Sequence, residues 1–158
     1  MRKRSKYRPK AVMTNPLTSM QTAPKAARDR VMLGFLSALQ ECTAGRHPGV
    51  EEWRSLSDAV NTVETLALHL GKLVPEEVMP VVTRAIAGMV TASKRYTSGQ
   101  GMRLDADGLS ALREIIGIYG DCLDGLTERE MAQAQAETQR RLNEVLRHGA
   151  TSHTVVTI

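Results

Sequence analysis

The chain has 158 residues, 42% of them hydrophobic and 24% charged, and a formal net charge of +4. That is the length and balance of one globular domain. Aromatic content is only 3%, from Tyr7, Phe35, Trp53, Tyr96 and Tyr119, which argues against a β-sandwich, a base-stacking sheet or an aromatic-lined cofactor pocket.

The charge is unevenly placed. Residues 1–28 contain Arg2, Lys3, Arg4, Lys6, Arg8, Lys10, Lys25 and Arg28 and no acid, a local charge of +8. The remaining 130 residues hold 13 basic and 17 acidic side chains and are therefore net −4. A basic arm on a mildly acidic body points to a polyanion-binding or partner-binding tail. The arm spans residues 1–22. It contains Pro9 and Pro16, is rich in Ser and Thr and has no helical periodicity. Proline favours extended geometry in the residue before it, and clustered like charges repel, so the arm is expected to be extended or disordered when free.

A first helix is expected from Pro24 to Cys42, capped by Thr22 or Ala23 with Pro24 in its first turn. Its stripe is Met32, Phe35, Leu36, Leu39 and Cys42. Gly45, Pro48 and Gly49 interrupt the chain. A second helix is expected from Val50 to Leu70, with Leu56, Val60, Val63, Ala67 and Leu70 on one face and Gly71 as its C-terminal cap. Pro75 opens a third, with Glu76 and Glu77 in its first turn. Its stripe is Val78, Val81, Val82, Ala85, Ile86 and Met89. Pro80 is close enough to the start to be tolerated.

The segment from Thr97 to Gly101 reads as a loop. The fourth helix is the most regular: Leu109, Leu112, Ile116, Tyr119, Leu123 and Leu126 form a seam for a helical partner. Asp105 or Asp107 supplies its N-cap. Gly117 and Gly120 mark either a close helix approach or a weak helix. The fifth helix begins with a capping box, Thr127 to Glu130, and runs to Arg147. Its thin face of Met131, Gln135, Thr138, Leu142 and Val145 suits a peripheral helix or contact with another copy. The expected architecture is an all-α, roughly five-helix bundle over residues 23–150, with an extended basic N-terminal arm and a frayed C-terminal tail over 151–158. The seams of the fourth and fifth helices serve a monomeric bundle or a homodimer equally well.

No run is long and apolar enough for a membrane span, and no apolar stretch follows the basic N-terminus as in a secretory signal. Cys42 and Cys122 lack a CxxC companion and read as reduced, buried thiols of a cytoplasmic protein. There is no Walker A, GxSxG, HExxH or calcium-loop motif. His47, His69, His148 and His153 are too scattered for a metal site. Glu51/Glu52 and Glu76/Glu77 are adjacent and diverge by roughly 100° on a helix, so they are not acid–base dyads. Trp53 reads as a core residue. His69 reads as a cationic cap at a helix end. Reopening an enzymatic reading would require Glu64, His69 and a cysteine to converge. No catalytic residue, metal or cofactor is expected.

The arm carries the positive argument. Arg2, Lys3, Arg4, Lys6, Arg8 and Lys10 are candidate phosphate contacts, each able to release condensed counterions. Tyr7 among them is a candidate base-stacking residue. An acidic protein surface and a solubilising tail are the competing readings. Lys94, Arg95 and Arg103 flank Gly99 and Gly101 and extend the basic surface, or belong to a solvated loop.

The opening MRKRSKYRPK, followed by Asn15-Pro16, resembles a family of small proteins of unknown function encoded by tailed phages and prophages. The segment from Ala59 to Leu66 looks like that family's middle helix, and CLDGLTEREMAQAQAETQRRL, from Cys122 to Leu142, looks like its C-terminal helices. The resemblance implies a phage protein acting in the host bacterial cytoplasm and carries over no site residues. The expected function is therefore non-enzymatic: binding of a nucleic acid or nucleoprotein through the arm, in regulation of phage or host processes. The alternative is an anti-defence or host-takeover inhibitor that occludes a host protein complex.

Overall fold

The computed structural model describes residues 20–43, 48–68, 70 and 74–149. Among them the chain is all-α: α1 spans Lys25–Thr43, α2 Val50–Leu68, α3 Met79–Thr97, α4 Ala106–Gly125 and α5 Glu128–His148, with a short 3-10 turn at Glu76–Val78 before α3. The five expected helices are present in the expected order.

Local chemistry sets the boundaries. The Pro24 carbonyl accepts the first intrahelical bonds, from Ala27 N–H at 2.9 Å and Arg28 N–H at 3.1 Å, so Pro24 lies just ahead of α1 and not in its first turn. The third helix starts later than expected. Pro80 has no N–H and its ring crowds the carbonyl four residues back. The α-helix therefore begins at Met79, with Pro80 in the opening position, and Glu77 belongs to the 3-10 turn. Asp105, not Asp107, caps α4, its carboxylate accepting from Gly108 N–H at 2.8 Å. The capping box of α5 is formed: the Thr127 hydroxyl accepts from Glu130 N–H at 3.2 Å, and the Glu130 carboxylate accepts from Thr127 N–H at 2.8 Å. The Thr127 N–H, and the Thr127 hydroxyl, which donates to the same carboxylate at 2.7 Å, hold the Glu130 carboxyl below its ordinary pKa.

Helix α2 is the axis of the bundle and touches α1, α3, α4 and α5. Every residue from Ala59 to Ala67 is buried, so this part of α2 is enclosed on all sides and not on one face alone, whereas Glu51, Arg54 and Asp58 before it are exposed. Its helix stops at Leu68; Gly71, the expected cap, lies outside the described residues. Around it, α1 runs antiparallel to α4. Arg28 pairs with Asp124, Met32 lies against Gly120, and Phe35 meets Tyr119 edge-on with ring centroids 4.8 Å apart, a favourable aromatic geometry. The α1 stripe is narrower than expected: Phe35, Ala38 and Leu39 are buried, whereas Leu36 points outward and is 50% exposed.

Gly88 of α3 and Gly108 of α4 bring two helix backbones into close approach. A Cβ on Gly88 would stand 2.6 Å from the Gly108 Cα, inside van der Waals contact with backbone. Of the two glycines expected to mark a close approach or a weak helix, Gly120 faces the tip of the Met32 side chain, which a Cβ there would meet at 3.1 Å, while Gly117 faces open space. Helix α5 is peripheral and buries only Met131, Ala134 and Thr138.

Candidate nucleic-acid interface

The residues singled out as a nucleic-acid contact, Arg2, Lys3, Arg4, Lys6, Tyr7, Arg8 and Lys10, lie outside the described residues, as does the C-terminal tail. What is described is the point from which they depart. Helix α5 begins with unsatisfied backbone donors. One of them, Glu128 N–H, donates to the Gln21 carbonyl at 2.8 Å. Four residues later α1 starts, and Arg28 is held by Asp124 near the end of α4. The chain at Gln21 and the start of α1 are thus fixed to the corner where α4 turns into α5.

The second basic feature lies on the body. From Val78 to Leu104 the sequence has no acid and four cations, Arg84, Lys94, Arg95 and Arg103, although the body as a whole is acidic. Arg84 is engaged, its guanidinium reaching Glu114 at 2.9 Å and Asp107 at 3.2 Å. The other three lie where α3 ends. Lys94 and Arg95 suit the negative pole of the α3 dipole. Arg95 also donates to the Arg103 backbone carbonyl at 3.0 Å and so closes the loop. Gly99 and Gly101 both sit at φ +78°, a left-handed conformation that favours glycine.

This closed loop frames an open depression of about 580 Å³, lined by Pro48, Tyr96, Gly99, Gln100, Gly101, Met102 and Arg103. Pro48 and Met102 are buried and form its floor. Tyr96 is 51% exposed at its rim, while Phe35, Trp53 and Tyr119 are buried. Neither Lys94 nor Arg103 has an acidic partner among the described residues. The sequence located Lys94, Arg95, Arg103 and the two glycines, but not Tyr96 or Pro48. The available signal for Tyr96 was an aromatic residue beside two cations in an acid-free stretch.

The other polar cluster is internal. Arg141 of α5 donates to the Glu64 carboxylate at 3.0 Å and to the Thr65 hydroxyl at 3.1 Å. The Thr138 hydroxyl lies 2.9 Å from that of Thr65 and 2.8 Å from the Ala134 carbonyl. Glu64 is 4% exposed, and its charge is satisfied by the guanidinium. Trp53 Nε1, Ser57 Oγ and Asn61 Nδ2, spaced four residues apart along α2, have no hydrogen-bond partner among the described residues.

Burial pushes both thiols up, Cys42 with help from Glu52 and Glu41 and Cys122 with help from Asp121, each to about 11. Both are thus neutral thiols near pH 7. His47, His69 and His153 lie outside the described residues, and His148 ends α5. Among the described residues no group of three or more His, Cys, Asp or Glu side chains is arranged to hold a metal ion. No described helix is long and apolar enough to cross a membrane. Comparison with known proteins gave no matching family model, curated protein or solved structure.

Proposed function

We propose that the protein is a non-enzymatic, phage-encoded nucleic-acid-binding protein, whose basic N-terminal arm grips a nucleic acid or nucleoprotein while the helical body holds the arm in place. Its role is regulation of phage or host processes in the host bacterial cytoplasm. The observation that carries this reading is the charge of +8 over residues 1–28 with no intervening acid. Cations at this density along a chain bind phosphates through counterion release and need no folded pocket. Tethering at Gln21 supports the reading, because the arm leaves from a fixed corner of the bundle.

The test compares the full chain with a variant lacking residues 2–10, at two salt concentrations, against single- and double-stranded oligonucleotides. The expected result is a marked loss of affinity in the variant and a steep salt dependence in the full chain. Equal affinities, or no salt slope, would sink the proposal.

A second reading is occlusion of a basic host protein, as an anti-defence or host-takeover inhibitor. It is favoured by the 17 acids against 9 bases in residues 29–77 and 105–158 taken together, which allows the body to imitate a polyanion. A host protein that stays bound after nuclease treatment supports this second reading.

A further inference from the structure

We infer that the depression at the end of α3 is a second contact for single-stranded nucleic acid, taking one unpaired base on the Tyr96 ring and the adjoining phosphate on Arg103. This deepens, and rests on, the nucleic-acid reading of the chain.

Four observations carry it. Tyr96 is 51% exposed and stands at the rim of a preformed hollow of about 580 Å³. A solvent-facing ring beside a recess of that kind is a stacking platform that tolerates any base. The floor, Pro48 and Met102, is buried and apolar, and suits a base edge and not a hydrated ion alone. Gly99 and Gly101 put no side chain over the mouth and hold left-handed backbone that a larger residue would strain. The lining contains no carboxylate, and its cation, Arg103, has a backbone carbonyl anchored by Arg95 at 3.0 Å. That anchor fixes where the Arg103 side chain starts, and Lys94 in the last turn of α3 adds to the same positive field. A guanidinium offers paired donors that match a phosphate.

A duplex would not use this site, because its bases are paired and stacked inside. An unpaired strand presents both the face and the charge that the depression complements. The site therefore commits the protein to single strands, or to loops and ends, which the charge of the arm alone does not.

The test uses the full chain with fluorescent 20-nucleotide oligo(dT) and oligo(U), and with the same oligonucleotides carrying 5-iodouracil for photocrosslinking. Tyr96→Ala is expected to weaken binding about tenfold and Tyr96→Phe, which keeps the ring, by no more than about twofold. Arg103→Ala is expected to weaken binding and reduce the salt slope by about one. Crosslinked peptides are expected to include Tyr96. Tyr96 and Arg103 lie at the surface, and unchanged circular dichroism of each variant shows that the fold is kept.

If Tyr96→Ala and Arg103→Ala bind like the parent, and crosslinks avoid Tyr96 while removal of residues 2–10 abolishes binding, the depression is overturned and the arm stands. If the depression variants lose affinity but removal of residues 2–10 has no effect, the arm reading falls and the depression stands. If the full chain binds neither oligonucleotide but binds a duplex, the depression is overturned and the arm stands; if it binds neither these nor a duplex, both fall. Tighter binding of a duplex than of oligo(dT), or loss on Tyr96→Ala of a nuclease-resistant protein partner, also overturns the inference.

Discussion

Two helix contacts in this bundle are built in opposite ways. Where α3 crosses α4, Gly88 and Gly108 let the backbones touch, and no side chain separates them. Where α5 lies on α2, side chains span the gap: Arg141 reaches Glu64 and Thr65, and Thr138 meets Thr65. The first contact gains dispersion from close packing and fails by steric overlap. The second removes a carboxylate from water and fails if its counter-charge is lost. A glycine contact therefore tolerates no addition, and an ionic contact tolerates no deletion.

The most damaging single change should be on the ionic side. Arg141→Ala leaves Glu64 buried without its cation, and a loss of about 2–4 kcal/mol is expected in urea unfolding. Adding Glu64→Leu should recover much of that loss. A cost no larger than that of Arg140→Ala would show that the α2–α5 contact is not ionic in character, because Arg140 is 56% exposed and its pairs with Glu137 and Glu144 lie at the surface.

On the glycine side, Gly88→Ala gains about 1 kcal/mol of helix propensity but forces a Cβ onto the Gly108 backbone. A net destabilisation of about 1–2 kcal/mol is expected. Stabilisation would break the close-contact account. The same substitution at Gly117, which has nothing within 4 Å, should instead stabilise by about 0.5–1 kcal/mol. The two alanines thus sharpen the comparison by their opposite signs.

Alkaline pH should act through neither contact. The folded Cys122 pKa, about 11, stands above its ordinary value of 9.0 because burial disfavours the thiolate. Its contribution to stability is therefore whole below pH 9 and is lost as pH rises through 11. A decline of order 1 kcal/mol over that window is expected, reduced in Cys122→Ala and unchanged in Gly88→Ala. At the small end, Thr127→Ala removes one half of the α5 capping box and should cost about 1 kcal/mol or less.

What was legible in the sequence was mostly local. Thr127 and Glu130 are three residues apart, and their reciprocal bonds can be read from the spacing. Asp105 is three residues before the amide it caps, and the α4 seam follows from periodicity. What was not legible is non-local. Glu64 and Arg141 are 77 residues apart, and nothing in either neighbourhood announces the pair. The glycines that matter most for the close crossing, Gly88 and Gly108, belong to different helices, whereas Gly117 drew attention by its place within one. The outward turn of Leu36 and the enclosure of α2 likewise depend on how many neighbours surround a helix. Pro80 was visible, but its delay of α3 required knowing which carbonyl it crowds. For the candidate sites, the cations of the arm stand out by count alone. The depression needed Pro48 from one segment to meet Tyr96 and Met102 from another.

The bond from Glu128 N–H to the Gln21 carbonyl has a geometric corollary. A chain held at one residue cannot reach beyond its contour length, whatever path it takes. With at most about 3.6 Å of contour per residue, the stretch preceding Gln21 confines Arg2 to a sphere of radius roughly 70 Å centred on the α4–α5 corner, and Lys10 to one of roughly 40 Å. Any ligand gripped by those cations stays within that radius of the corner, and its concentration near the body is set by contour length and not by the bulk.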